Sequence, residues 1–132
     1  MRIFFYSVFI LLLAACGGSG SAKRLDTLDE AVNHYGQALR WGRYEDAEAF
    51  HMSREGQRAM FKAENLESIR ITGYSVRERT LSEDLLEADV SGDYSYYSTS
   101  YGTLRHVSFQ QKWWYDEEAK RWFVEGELPE FK

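Results

Sequence analysis

Leu86-Glu87-Ala88-Asp89-Val90-Ser91-Gly92-Asp93-Tyr94-Ser95-Tyr96 alternates apolar or small residues with acids and serines without a break. A period of two sustained this long belongs to a strand with one covered and one wet face. Leu86, Ala88, Val90, Gly92, Tyr94 and Tyr96 form the covered set; Glu87, Asp89, Ser91, Asp93 and Ser95 meet water. Upstream, Ile69 and Ile71 alternate with Arg70 and Thr72, then the apolar set moves to Tyr74 and Val76. That change of parity predicts a bulge at Gly73 and a bend in the first strand. Downstream, Val107, Phe109, Gln111, Trp113 and Tyr115 make the inward set of a third strand. Trp122, Val124, Gly126 and Leu128 make that of a fourth, across the turn Asp116-Glu117-Glu118-Ala119-Lys120. The four strands are expected to form an antiparallel meander.

Before Leu66 the period is helical. Leu28, Val32, Tyr35 and Leu39 recur at three and four residues, Thr27-x-x-Glu30 has the pattern of a capping box, and Gly42 suits a left-handed stop. This predicts a helix over 28–41. A second helix is expected over 43–51, with Tyr44, Ala47 and His51 on one face, and a third from Ser53 to about residue 64. Helices followed by a bent sheet make an α+β domain with the helices packed on one face of about four strands.

The chain has 132 residues, 44% of them hydrophobic and 16% aromatic, with one cysteine and one proline. Such a composition fits one ordinary domain and excludes disorder, a collagen repeat and a disulfide scaffold. Sixteen basic residues against 21 acidic ones give a net charge of −5, with no basic cluster. Nucleic acid is therefore not an expected partner.

At the amino end, Met1-Arg2 precedes an apolar run from Ile3 to Leu13, closed by Ala14-Ala15-Cys16. As a helix that run covers roughly 16 Å, against about 30 Å of hydrocarbon, so it reads as a secretory signal over 1–15 rather than a membrane span. Leu13-Ala14-Ala15-Cys16 resembles the lipobox of bacterial lipoproteins. The resemblance implies that Cys16 is lipidated, that the membrane is met through this anchor, and, with Gly17 following, that the protein sits on the outer membrane facing the periplasm. Residues 16–24 are expected to be a flexible tether with a reach of roughly 15 Å, followed by a single domain over 25–132.

The run from Ala31 to Ala47, in which an inward Tyr35 leads to the turn Gly42-Arg43-Tyr44-Glu45, resembles the opening of nuclear transport factor 2-like domains. Lys112-Trp113-Trp114-Tyr115 and Lys120-Arg121-Trp122-Phe123-Val124 suit the same superfamily's closing hairpin. The resemblance implies a cone of helices and bent sheet, and it leaves activity open because the superfamily hosts enzymes, adaptors and exported lipoproteins alike. Homodimers through the sheet are common in it. Cystatin-like sheets wrapped around a helix are the nearest alternative.

Catalysis of proton transfer inside such a cone needs an inward acid or histidine. Parity sends Glu87, Asp89, Asp93 and Glu125 outward, so no catalytic residue is assigned and a non-enzymatic role is favoured. Three scattered histidines and one cysteine give no metal spacing, and no cofactor is implied. His51, Tyr94, Tyr96, Gln111, Trp113 and Tyr115 remain as candidate lining of a pocket for a small apolar ligand, with core filling as the competing reading. Tyr97 and Tyr101, together with Trp114 and Phe123 on the outer face, are the candidate surface for an envelope protein or peptidoglycan. The first expectation is thus a lipid-anchored binding or assembly module, and the alternative is a ligand carrier or isomerase-like enzyme using the cone.

Overall fold

Alternation over the second strand becomes the centre of a four-stranded antiparallel sheet in the order β1-β2-β3-β4. The structure is a computed structural model that describes residues 19–58 and 66–131. The signal segment and Cys16 lie outside the described residues. Helix α1, Ser19–Arg40, and helix α2, Tyr44–Glu48, precede β1, Ile69–Leu81; β2, Glu87–Ser98; β3, Leu104–Asp116; and β4, Arg121–Val124. The α+β architecture expected above, helices against one face of a bent four-stranded sheet, is the architecture observed.

The apolar stripe of α1 is buried as its spacing predicts. Leu28, Val32, Tyr35 and Leu39 pack with Ile69, Ile71, Val90, Tyr94, Trp113, Trp122 and Val124 in one core. Full burial of each aliphatic side chain contributes about 1.5–3 kcal/mol. Gly42 ends the helix at φ +69°, and the amide of Arg43 donates to the carbonyl of Ala38 at 2.8 Å, a Schellman closure.

The helix also begins earlier than predicted, so Ser19–Ala22 belong to its first turn and not to a flexible tether. Tertiary contacts hold this extension. The Arg24 guanidinium lies 3.7 Å over the Tyr115 ring and donates to the Leu85 carbonyl at 3.3 Å. Thr27 is therefore inside the helix and caps nothing. Its hydroxyl donates to the Arg24 carbonyl at 2.7 Å and accepts the Trp122 indole N–H at 3.1 Å.

Pairing between β1 and β2 shifts register between Ile71 and Gly73, where the parity change placed a bulge, and again between Val76 and Glu78. Val76, expected inward, is 37% exposed, because β1 is an edge strand and the second bulge follows at once. The second helix is shorter than expected. Phe50 and Met52 leave it to flank Val124 of β4, with the Val124 amide donating to Phe50 at 2.8 Å and the Met52 amide to Val124 at 3.1 Å. Beyond Met52 the expected third helix is replaced over 53–58 by a tight turn. The Ser53 amide donates to Gln57 at 2.8 Å, and Met52 bridges Arg58. The rest of that expected helix, 59–65, lies outside the described residues. β4 ends at Val124, so Gly126 and Leu128 follow the sheet rather than extend it.

Candidate functional site

Where α1 crosses the sheet, a line of polar groups runs through the core. At its centre is Gln111 of β3. Its carbonyl oxygen accepts the Tyr74 hydroxyl at 2.8 Å and the Trp113 indole N–H at 3.1 Å. Its amide nitrogen donates to the Tyr94 hydroxyl at 2.9 Å. Beside Tyr94 stands Tyr35 of α1, whose hydroxyl lies 2.7 Å from His51 Nε2. His51 Nδ1 in turn lies 2.7 Å from the carbonyl of Gly126.

A carbonyl can only accept, so Nδ1 carries the proton and Nε2 must receive one from Tyr35. That commits the Tyr35 hydroxyl to donate toward His51. Two short runs result: the Gln111 carbonyl accepts from Tyr74 and Trp113 while its amide donates to Tyr94, and Tyr35 donates to His51, which donates to the Gly126 carbonyl. Aromatic edges frame them: Tyr35 meets Trp113 at 5.5 Å and 86°, and Tyr74 at 5.6 Å and 79°.

Burial sets the ionisation of these groups. Desolvation lowers the His51 pKa, against the opposing pull of the Gly126 carbonyl and Glu127, and keeps the ring neutral. Desolvation raises Tyr35 well above the usual phenol range, helped by neighbouring Tyr94, and raises Tyr74 and Tyr94 in the same way. The interior therefore holds phenols, an amide and a neutral imidazole.

Asp89 and Asp93 stand on the opposite face, as their parity predicts. Asp93 accepts the Ser108 hydroxyl at 2.8 Å and pairs with Arg77 at 3.4 Å. An open cavity of about 400 Å³ on that face is lined by Glu78, Thr80, Asp89, Ser91, Gln110 and Lys112. Among the described residues no three His, Cys, Asp or Glu side chains converge as a metal site.

Of the candidate lining residues, His51, Tyr94, Gln111 and Trp113 come together. Tyr96 and Tyr115 do not join them. Tyr96 is buried toward the other end of β2 against Phe131, with ring centroids 4.9 Å apart. Tyr115 lies under the start of α1, against Trp122 at 5.4 Å and Arg24. Tyr35 and Tyr74 belong to the network and were not among the candidates. Their signal was present in the apolar stripe of α1 and in the parity shift of β1.

The expected outer aromatic patch is corrected more strongly. Phe123 is only 4% exposed and Trp114 is half-buried, because the segment after His51 folds around β4 onto that face. The Trp114 indole N–H donates to the Met52 carbonyl at 2.8 Å, and Arg54 pairs with Glu87 at 2.7 Å. Exposed large apolar side chains stand elsewhere. Tyr101 is 81% exposed, Trp41 74% and Leu104 55%, while Tyr97 is half-buried. All four lie toward one end of the fold, since α2 meets the start of β1 through Tyr44 and Ile69, and Ile69 pairs with Ser98 beside the β2–β3 turn.

No family model matches the chain, and no curated protein matches it. Among solved structures, a proposed polyketide cyclase from Pseudomonas putida KT2440 is similar over 79% of this chain and 94% of its own, at 17% identity and a TM-score of 0.48. A second proposed polyketide cyclase, from Xanthomonas campestris pv. campestris, is similar over 82% and 93%, at 15% identity and a TM-score of 0.47. At that distance neither protein's activity is carried over to this chain.

Proposed function

We propose that the chain is a lipid-anchored protein of the bacterial cell envelope whose folded part is a non-catalytic binding or assembly module. The observation that carries the module is the position of its bare apolar side chains. Trp41, Tyr101 and Leu104 stand at the end of the fold away from Arg24 and Leu85, where α1 begins. A chain held through Cys16 would present that tip away from the bilayer, toward an envelope protein or peptidoglycan. Large exposed aromatics are the residue types that carry most energy when a partner buries them. Inside, the one basic group among the described core residues, His51, already accepts from Tyr35 and donates to Gly126, and the acids of β2 face water.

Anchoring rests on the Leu13–Cys16 pattern. Cys16→Ser is expected to move the protein from the membrane fraction to the soluble periplasmic fraction and to abolish incorporation of labelled palmitate; unchanged incorporation rejects the anchor. For the module, Trp41→Ser with Tyr101→Ser is expected to remove specific cross-links to envelope components while thermal unfolding stays unchanged. Cross-links that persist reject the tip as the docking surface.

A further inference from the structure

After β4 the chain turns back along the inner face of the sheet. The Glu125 amide donates to the Lys112 carbonyl at 2.9 Å, Gly126 turns at φ +86°, and His51 holds the Gly126 carbonyl. Five residues on, the Phe131 ring lies edge-on to Tyr94 at 5.5 Å and 80° and to Tyr96 at 4.9 Å and 67°. Phe131 and Leu128 are partly buried against the core, while Glu127 and Glu130 remain exposed. Two tyrosine rings thus wall a slot occupied by a phenyl group from a segment outside the helices and strands.

We propose that residues 126–131 are a strap that keeps a site for a neutral, flat aromatic ring closed by placing the Phe131 ring in it. Gly126 is the hinge, because a glycine at positive φ can change conformation without the strain of a side chain. The His51 contact fixes the near end of the strap, and the packing of Leu128 and Phe131 seats the far end on the core. Five extended residues reach roughly 17 Å, so rotation at Gly126 carries Phe131 clear of both tyrosines. The ligand class follows from the present occupant: a phenyl group carries no polar atom and is held by ring edges alone. A half-buried ring is a weak competitor, and removing it frees the slot by a factor on the order of ten. The strap lies on the inner face and is independent of docking at the tip.

The test uses the full chain and N-phenyl-1-naphthylamine, a neutral fluorescent aromatic compound. Phe131→Ala is expected to bind it about tenfold more tightly than the unaltered chain. Adding Tyr96→Ala is expected to return binding to the weak level. Equal affinity in the Phe131→Ala and unaltered chains overturns the proposal, as does a gain that survives Tyr96→Ala. If Phe131→Ala does not fold, limited proteolysis of the unaltered chain decides: saturating probe is expected to speed cleavage after Glu127 and Glu130 by a glutamate-specific protease about tenfold, with β2 uncut. Unchanged cleavage at both sites overturns the strap.

Discussion

The two faces of β2 share one backbone and hold opposite chemistry. On the inner face, Val90, Tyr94 and Tyr96 are buried among rings, with the Tyr94 hydroxyl accepting from the Gln111 amide. On the outer face, Asp89 and Asp93 meet Lys112 at 4.0 Å and Arg77 at 3.4 Å, through side chains open to solvent. Water screens the outer pairs, whereas nothing replaces an inner contact once it is lost. Adjacent residues of one strand therefore differ in whether folding depends on them.

The largest break expected in this contrast comes from Trp113→Ala, which removes a fully buried ring and should cost about 3–5 kcal/mol in urea unfolding. A loss below about 1 kcal/mol would mean that the inner face is loosely packed. Gln111→Leu comes next, since it strands the Tyr74 hydroxyl and the Trp113 indole N–H without their shared acceptor. Each buried unmet group costs about 1–3 kcal/mol, so a destabilisation of roughly 2 kcal/mol or more is expected by the same measurement.

Acid sharpens the comparison through His51, whose folded pKa lies below its unfolded value. The unfolded chain then takes up a proton near pH 6.5 before the folded chain does. Stability from the neutral ring is complete above that pH and falls as pH drops toward the folded pKa, by at most about 1.4 kcal/mol per pH unit. Thermal unfolding from pH 7.5 to 5 should show this slope in the unaltered chain and a shallower one in His51→Gln. The smallest effect is expected on the outer face, where Asp93→Asn should change stability by less than about 1 kcal/mol and lose its salt dependence.

Legibility in the sequence followed how local each cause was. The alternation of β2 and the parity shift at Gly73 are written in adjacent residues, and both appear in the structure. Gly42 likewise ends α1 by its own backbone. The start of α1 was misjudged because Arg24 is held by Tyr115 and Leu85, far along the chain. Phe123 looked exposed because its cover, the segment after His51, was expected to be helical. The Tyr35–His51 contact joins two elements across an intervening turn, so periodicity could place both residues inward without pairing them. Phe131 lay beyond the last expected strand, where no period marked it.

One feature of β1 reaches beyond the single molecule. This strand ends the sheet on one side, and thirteen residues of straight, unpaired edge would template a second chain. Its two bulges interrupt the regular spacing of edge amides and carbonyls, and Arg77, Glu78 and Arg79 add charge beside the second. The irregularity that bends the sheet around α1 also guards the protein against strand-to-strand aggregation.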